Sequence, residues 1–72
     1  MDASLFRFAL GQRVTWLRAP PRVWIIHVRM LLEDAQGLIV EYGLRPEDRP
    51  EVRHEFWAPE EDLEPYPHIP QE

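Results

Sequence analysis

Few side chains in this sequence are equipped for covalent chemistry. Ser4 and Thr15 are its only serine and threonine, and it has neither cysteine nor lysine. A hydroxyl becomes a nucleophile only beside a positioned base and an oxyanion hole. Ser4 stands in the lead-in of the chain, where such a site is hard to build, so the sequence predicts a protein that is not an enzyme. His27, His54 and His68 sit on separate segments, with no i,i+2 or i,i+4 pair among them. A zinc site would need them to converge with a carboxylate such as Glu55, and ordinary surface or rim histidines are the simpler expectation. On that reading His27 lies at the surface and His54 is half buried beside Phe56. Glu60, Glu61, Asp62 and Glu64 form an acidic run, but calcium takes about six to eight oxygens from a shaped, glycine-bearing loop. Here a solvated turn is expected. Glu33 and Asp34 read as turn residues rather than an acid/base pair, and no cofactor or metal is implied.

The aromatic residues carry more information. Trp16, Trp24, Tyr42 and Phe56 are expected to build the core, whereas Trp57 falls on the face opposite Phe56 of a regular strand. With Ile25, Ile39 and Leu31 it would form an apolar patch flanked by Arg29 and Arg53. Tryptophan and arginine are enriched at binding hot spots, and a large exposed apolar patch usually marks a partner surface. Two arrangements stay open: the patch is exposed, or Leu5 to Phe8 folds over it.

The elements that must position these residues follow a period of two. Gly11-Gln12 permits a sharp entry into strand 1, Arg13 to Leu17, with Val14 and Trp16 on one face. Ala19-Pro20-Pro21-Arg22 ends it, because proline donates no ladder hydrogen bond. Strand 2, Val23 to Leu32, places Trp24, Ile26, Val28 and Met30 on the core face by alternation, and its isoleucines and valines favour a strand. Glu33 to Gly37 makes a hairpin turn. Strand 3, Leu38 to Leu44, puts Leu38, Val40, Tyr42 and Leu44 on one face. Gly43 within it hints at a bulge or a close approach. Arg45 to Pro50 is a loop, strand 4 runs from Glu51 to Ala58, and Pro59 to Asp62 fits one 3₁₀ turn. Leu63 to Tyr66 closes the set, and the proline-rich end favours extended polyproline conformation. The predicted organisation is a single domain over residues 1–66, with 1–7 a loose lead-in from which Phe6 or Phe8 folds back. Residues 67–72 form a flexible tail.

Composition bounds the rest. A chain of 72 residues has room for one small core, since domains of about 60 residues bury only about 60% of their unfolded surface. Without cysteine there is no disulfide framework or thiolate metal site. No signal-peptide pattern and no apolar run of membrane-spanning length is present, so a soluble, cytoplasmic protein is expected. The first 58 residues hold all eight basic residues, every one an arginine, against eight of the thirteen acids. Glu60, Glu61, Asp62, Glu64 and Glu72 supply the whole net charge of −5. A neutral body with an acidic end is a poor match for nonspecific nucleic-acid binding, which draws on clustered positive charge.

Phe8-x-x-Gly11-Gln12-x-Val14, Trp24-Ile-Ile-x-x-Arg29, Glu41-Tyr-Gly-Leu44, and Trp57 followed by Glu60-Glu-Asp-Leu-Glu-Pro65 together resemble small SH3-like barrel proteins of bacterial or prophage origin. The resemblance spans roughly residues 6–65. It implies an all-β fold, a five-stranded SH3-like barrel with a 3₁₀ turn before the last strand. It also implies a non-catalytic interaction or structural module, virion-associated if phage-derived. The short loop Arg18 to Arg22 lacks the long acidic segment that makes a polyproline groove in signalling SH3 domains. No second glycine follows strand 1 closely, as it does in RNA-binding barrels of the KOW type. The expected partner is a protein bound by a monomer through Trp57, Arg53, Arg29, Ile25 and Ile39. The alternatives are a barrel that binds single-stranded nucleic acid through Arg13, Arg18, Arg22, Arg29 and Arg53 with Trp57 stacking, or an accessory subunit of a larger enzyme.

Overall fold

The structure, a computed structural model, describes residues 5–67. Strands β1 (Arg13–Trp16), β2 (Val23–Asp34), β3 (Gly37–Pro46), β4 (Phe56–Pro59) and β5 (Leu63–Pro65) follow one another, with a 3₁₀ turn at Glu60–Asp62 between the last two. All pairings are antiparallel, in the order β4-β3-β2-β1-β5. The outermost strands β4 and β5 are joined by that single 3₁₀ turn, so the sheet must curl to bring its edges together. It curls without closing, because β4 and β5 do not pair, so the sheet is not closed into the barrel expected from sequence. Proline opens the turn at Pro59, and Leu17 N–H donates to the Asp62 carbonyl (2.9 Å). Gly11 (φ 84°) and Gly37 (φ 130°) supply the positive φ that their turns require.

Inside the curl, Phe8, Val14, Trp24, Ile26, Tyr42, Leu44, Ala58 and Leu63 form one buried cluster. Burial of this apolar surface is the main favourable contribution to folding. Trp16 meets Trp24 edge-on at 5.1 Å, and Trp24 meets Phe56 at 5.5 Å. Phe56 is nevertheless 37% exposed, because it sits on an edge strand, with Trp24 and the exposed His54 (4.8 Å) as its ring neighbours.

The expected lead-in is part of the body from Phe6 onward. Phe8 is buried and Phe6 packs on the cluster, each ring meeting Tyr42 edge-on. The Tyr42 hydroxyl accepts from the backbone N–H of Arg7 (2.9 Å) and Phe8 (3.2 Å) and donates to Glu60. Glu60 also accepts from Arg7 N–H (2.9 Å). These bonds staple the N-terminal segment to the inner face. Burial, and then the hydrogen bond to Glu60, hold the Tyr42 hydroxyl above its ordinary pKa.

Two expectations are corrected. Strand 4 begins at Phe56, not Glu51. Arg49 N–H donates to the Pro46 carbonyl and Val52 N–H to that of Arg49, so the chain turns where a strand was expected. The second correction is larger. The β2–β3 register runs Trp24↔Pro46, Ile25↔Arg45, Ile26↔Leu44, then shifts to Val28↔Gly43, Arg29↔Tyr42 and onward to Asp34↔Gly37. His27 is the extra residue of a β-bulge. Side chains opposite one another share a face, so beyond the bulge the faces of β2 exchange. Arg29 and Leu31 join the Tyr42 face, and Val28, Met30 and Leu32 turn outward. Val28 and Met30 therefore leave the core they were expected to share with Trp24 and Ile26.

What the sequence leads one to expect of Met1 to Ser4 and of His68 to Glu72, including most of the tail, falls outside the described residues. Among the described residues no helix is long and apolar enough to cross a membrane.

Candidate interaction surface

Gly43 is the centre of the outer face. A Cβ built there would stand 2.7 Å from Cγ of Glu55 and 3.2 Å from Trp57. The missing side chain is what lets both residues lie across the β3 backbone. Trp57, paired with Gly43 in the β3–β4 ladder, rests over that gap with 45% of its surface in solvent.

Beside it, Glu55 gathers two cationic or donor groups from two strands. Its Oε2 accepts from Arg45 Nη2 (2.7 Å) and Nε (3.0 Å) and lies 2.6 Å from His27 Nδ1. A carboxylate only accepts, so His27 Nδ1 carries a proton. Arg45, and next His27, hold the Glu55 carboxyl below its ordinary pKa. Arg45 Nη2 also donates to the Arg53 carbonyl (3.4 Å), which ties the 47–55 loop to the sheet. The bulge aims His27 at this cluster. The histidine–carboxylate convergence that a metal would need is thus filled by a guanidinium. No group of three or more metal-ligating side chains is assembled among the described residues.

Of the five residues singled out from sequence, three reach the outer face. Trp57 pairs with Gly43, Ile25 with Arg45, and Ile39 with Leu32. Arg53 is exposed in the loop before β4, with no ion pair among the described residues. Arg29 goes to the other face. Its guanidinium stacks on Phe6 (4.6 Å) and donates to the Phe8 carbonyl (3.4 Å). Leu31, expected in the patch, also faces inward, opposite Val40.

Val28, Met30 and Leu32 replace them, and the sequence concealed these three because the bulge inverts their parity. The outer face therefore carries Ile25, Val28, Met30, Leu32, Ile39 and Trp57, with Glu41 among them between Ile39 and Gly43 and opposite Met30. Among the described residues, Leu5 to Phe8 do not fold over it, because Phe6 and Phe8 are committed to Tyr42 on the opposite side.

The remaining arginines are largely spoken for. Arg13 pairs with Glu47 (2.6 Å), Arg18 with Asp62 (3.2 Å), Arg22 with Asp48 (3.5 Å) and Arg49 with Glu51 (2.5 Å). Compared with family models, curated proteins and solved structures, the chain matches none.

Proposed function

We propose that this chain is a non-catalytic protein-interaction module on an SH3-like scaffold, and that the outer face around Trp57 is its contact surface. The observation that carries the reading is Trp57 itself. It is a large aromatic held over a glycine, half in solvent, and on the same sheet face as the apolar side chains of Ile25, Val28, Met30, Leu32 and Ile39. Aromatic anchors of this kind dominate binding energy. The Arg45–Glu55–His27 cluster gives the patch a polar rim, as interfaces commonly have.

The element order, with a 3₁₀ turn before the last strand, accords with the SH3-like resemblance. Bacterial or prophage origin, a cytoplasmic or virion location and a monomeric state belong to the same proposal. A protein partner is favoured over single-stranded nucleic acid because Arg13, Arg18 and Arg22 are paired with carboxylates and Arg29 is stacked on Phe6.

Affinity capture from extracts of the source cell tests the reading. Trp57→Ala and Arg53→Glu are expected to lose the partner while keeping the wild-type thermal transition. If both variants retain every captured protein, the outer face is not the contact surface.

A further inference from the structure

The last rung between β3 and β4 joins Glu41 to Pro59. There the chain leaves β4 for the 3₁₀ turn, while β3 continues back to Gly37. Along Leu38, Ile39 and Val40 no strand among the described residues lies on the β4 side of β3. These residues make no backbone hydrogen bond outside the β2–β3 ladder among the described residues. Within an antiparallel ladder, alternate backbone N–H and C=O groups point away from the partner strand. Those of this segment therefore face an open groove, lined by Leu38, Ile39, Val40, Pro59, Glu60 and Glu61.

The sheet protects its other edges. Edge strands are commonly blunted by proline, charge or brevity. β4 ends in Pro59 and β5 in Pro65, and both strands are short. The free stretch of β2 beyond the bulge carries Arg29, Glu33 and Asp34. The Leu38–Val40 edge is short too, but it carries neither proline nor charge. It presents two β-branched residues and a leucine, a sequence that favours strand pairing.

Charge says what would pair with it. The groove wall opposite β3 carries Glu60 and Glu61, and no basic residue lines it. Glu60 is engaged by Tyr42 and Arg7, whereas Glu61 is exposed and has no partner among the described residues. A second copy pairing edge to edge would bring the same acids together, which opposes self-association.

We propose that the Leu38–Val40 edge accepts an extended, basic segment of a partner polypeptide by strand addition. Backbone hydrogen bonds would give the affinity, and a lysine or arginine facing Glu61 the selectivity. This site is separate from the Trp57 surface and shares only Ile39 with it.

The test uses a short capped peptide alternating lysine and valine, titrated into the full-length protein and read by amide resonances and hydrogen exchange. The expected result is saturable binding with new protection confined to Leu38–Val40. Raising the salt should weaken it, and Glu61→Lys should weaken it roughly fivefold. The same peptide N-methylated at alternate amides should not bind, because it cannot complete a ladder. Trp57→Ala should bind the peptide as wild type does, so failure of the outer-face reading and failure of this one are distinguishable. Any of four results overturns the proposal: equal binding of a glutamate–valine peptide, equal binding of the N-methylated peptide, concentration-dependent dimerisation through this edge, or edge amides already protected in the free monomer with no gain on titration.

Discussion

β2 and β3 each run through two regions of different fate. In the sheet body they contribute Trp24, Ile26, Tyr42 and Leu44, all 5% exposed or less. Past the last rung with β4, at Glu41–Pro59, they form a two-stranded arm in which Leu31, Leu32, Leu38 and Ile39 are 41%, 41%, 60% and 37% exposed. Composition does not separate the two regions, since both are rich in leucine and β-branched residues. What separates them is a second layer. The body is faced by Phe8, Val14 and Leu63 across the curl, while the arm outruns both of its neighbouring strands. A strand face is buried only where something opposes it, and an apolar face left without an opposing layer is available to a partner.

The sharpest way to break this comparison is a pair of matched truncations. Leu44→Ala in the body should cost about 2–5 kcal/mol, enough to unfold much of so small a domain. Leu38→Ala in the arm should change stability by less than about 0.5 kcal/mol. Urea titrations of the two variants check this, and equal losses would mean that the arm is packed.

Next in size is Tyr42→Phe, which removes the acceptor for two backbone N–H groups and should cost about 1–3 kcal/mol. It also sharpens the pH dependence. Because the folded-state pKa of Tyr42 is raised, its contribution is complete below the unfolded value of 10.0 and is lost as pH rises through the higher folded value. Thermal melts of Tyr42→Phe should lack that alkaline loss.

Gly43→Ala should cost about 1–3 kcal/mol through overpacking, since Glu55 and Trp57 must both move. A change in Trp57 fluorescence alongside the loss would place the disturbance on the outer face. The smallest effect is on the acid side. With the Glu55 pKa lowered by Arg45 and then His27, the stability it contributes is present above the unfolded value of 4.5. That stability is lost as pH falls through the lower folded value. Glu55→Gln should flatten this part of the acid profile. An unchanged profile would show that the cluster at the rim contributes nothing to the fold.

Local signals made the body readable. Gly11 and Gly37 marked turns that need positive φ, Pro59 opened the 3₁₀ turn, and alternation assigned Val14, Trp24, Ile26, Tyr42 and Leu44 to one interior. Strand 4 was overestimated because the alternation of Val52, His54 and Phe56 persists through a loop held instead by the Arg45–Arg53 contact.

The bulge had only an indirect trace in Gly43. A bulge depends on pairing with a distant strand, and nothing within Ile26-His27-Val28 distinguishes it from regular strand. From that one residue follow both main misplacements, Arg29 and Leu31 on the outer face and Val28 and Met30 in the core. Trp57, Ile25 and Ile39 escaped because their positions do not depend on the parity of β2 beyond His27.

The account turns on that register, and backbone nuclear Overhauser contacts between β2 and β3 read it directly. The structure predicts cross-strand contacts of Arg29 with Tyr42, Leu31 with Val40 and Leu32 with Ile39. Contacts of Val28 with Tyr42 and Met30 with Val40 would mean an unbroken ladder. They would return Arg29 and Leu31 to the outer face and contradict the surface described here.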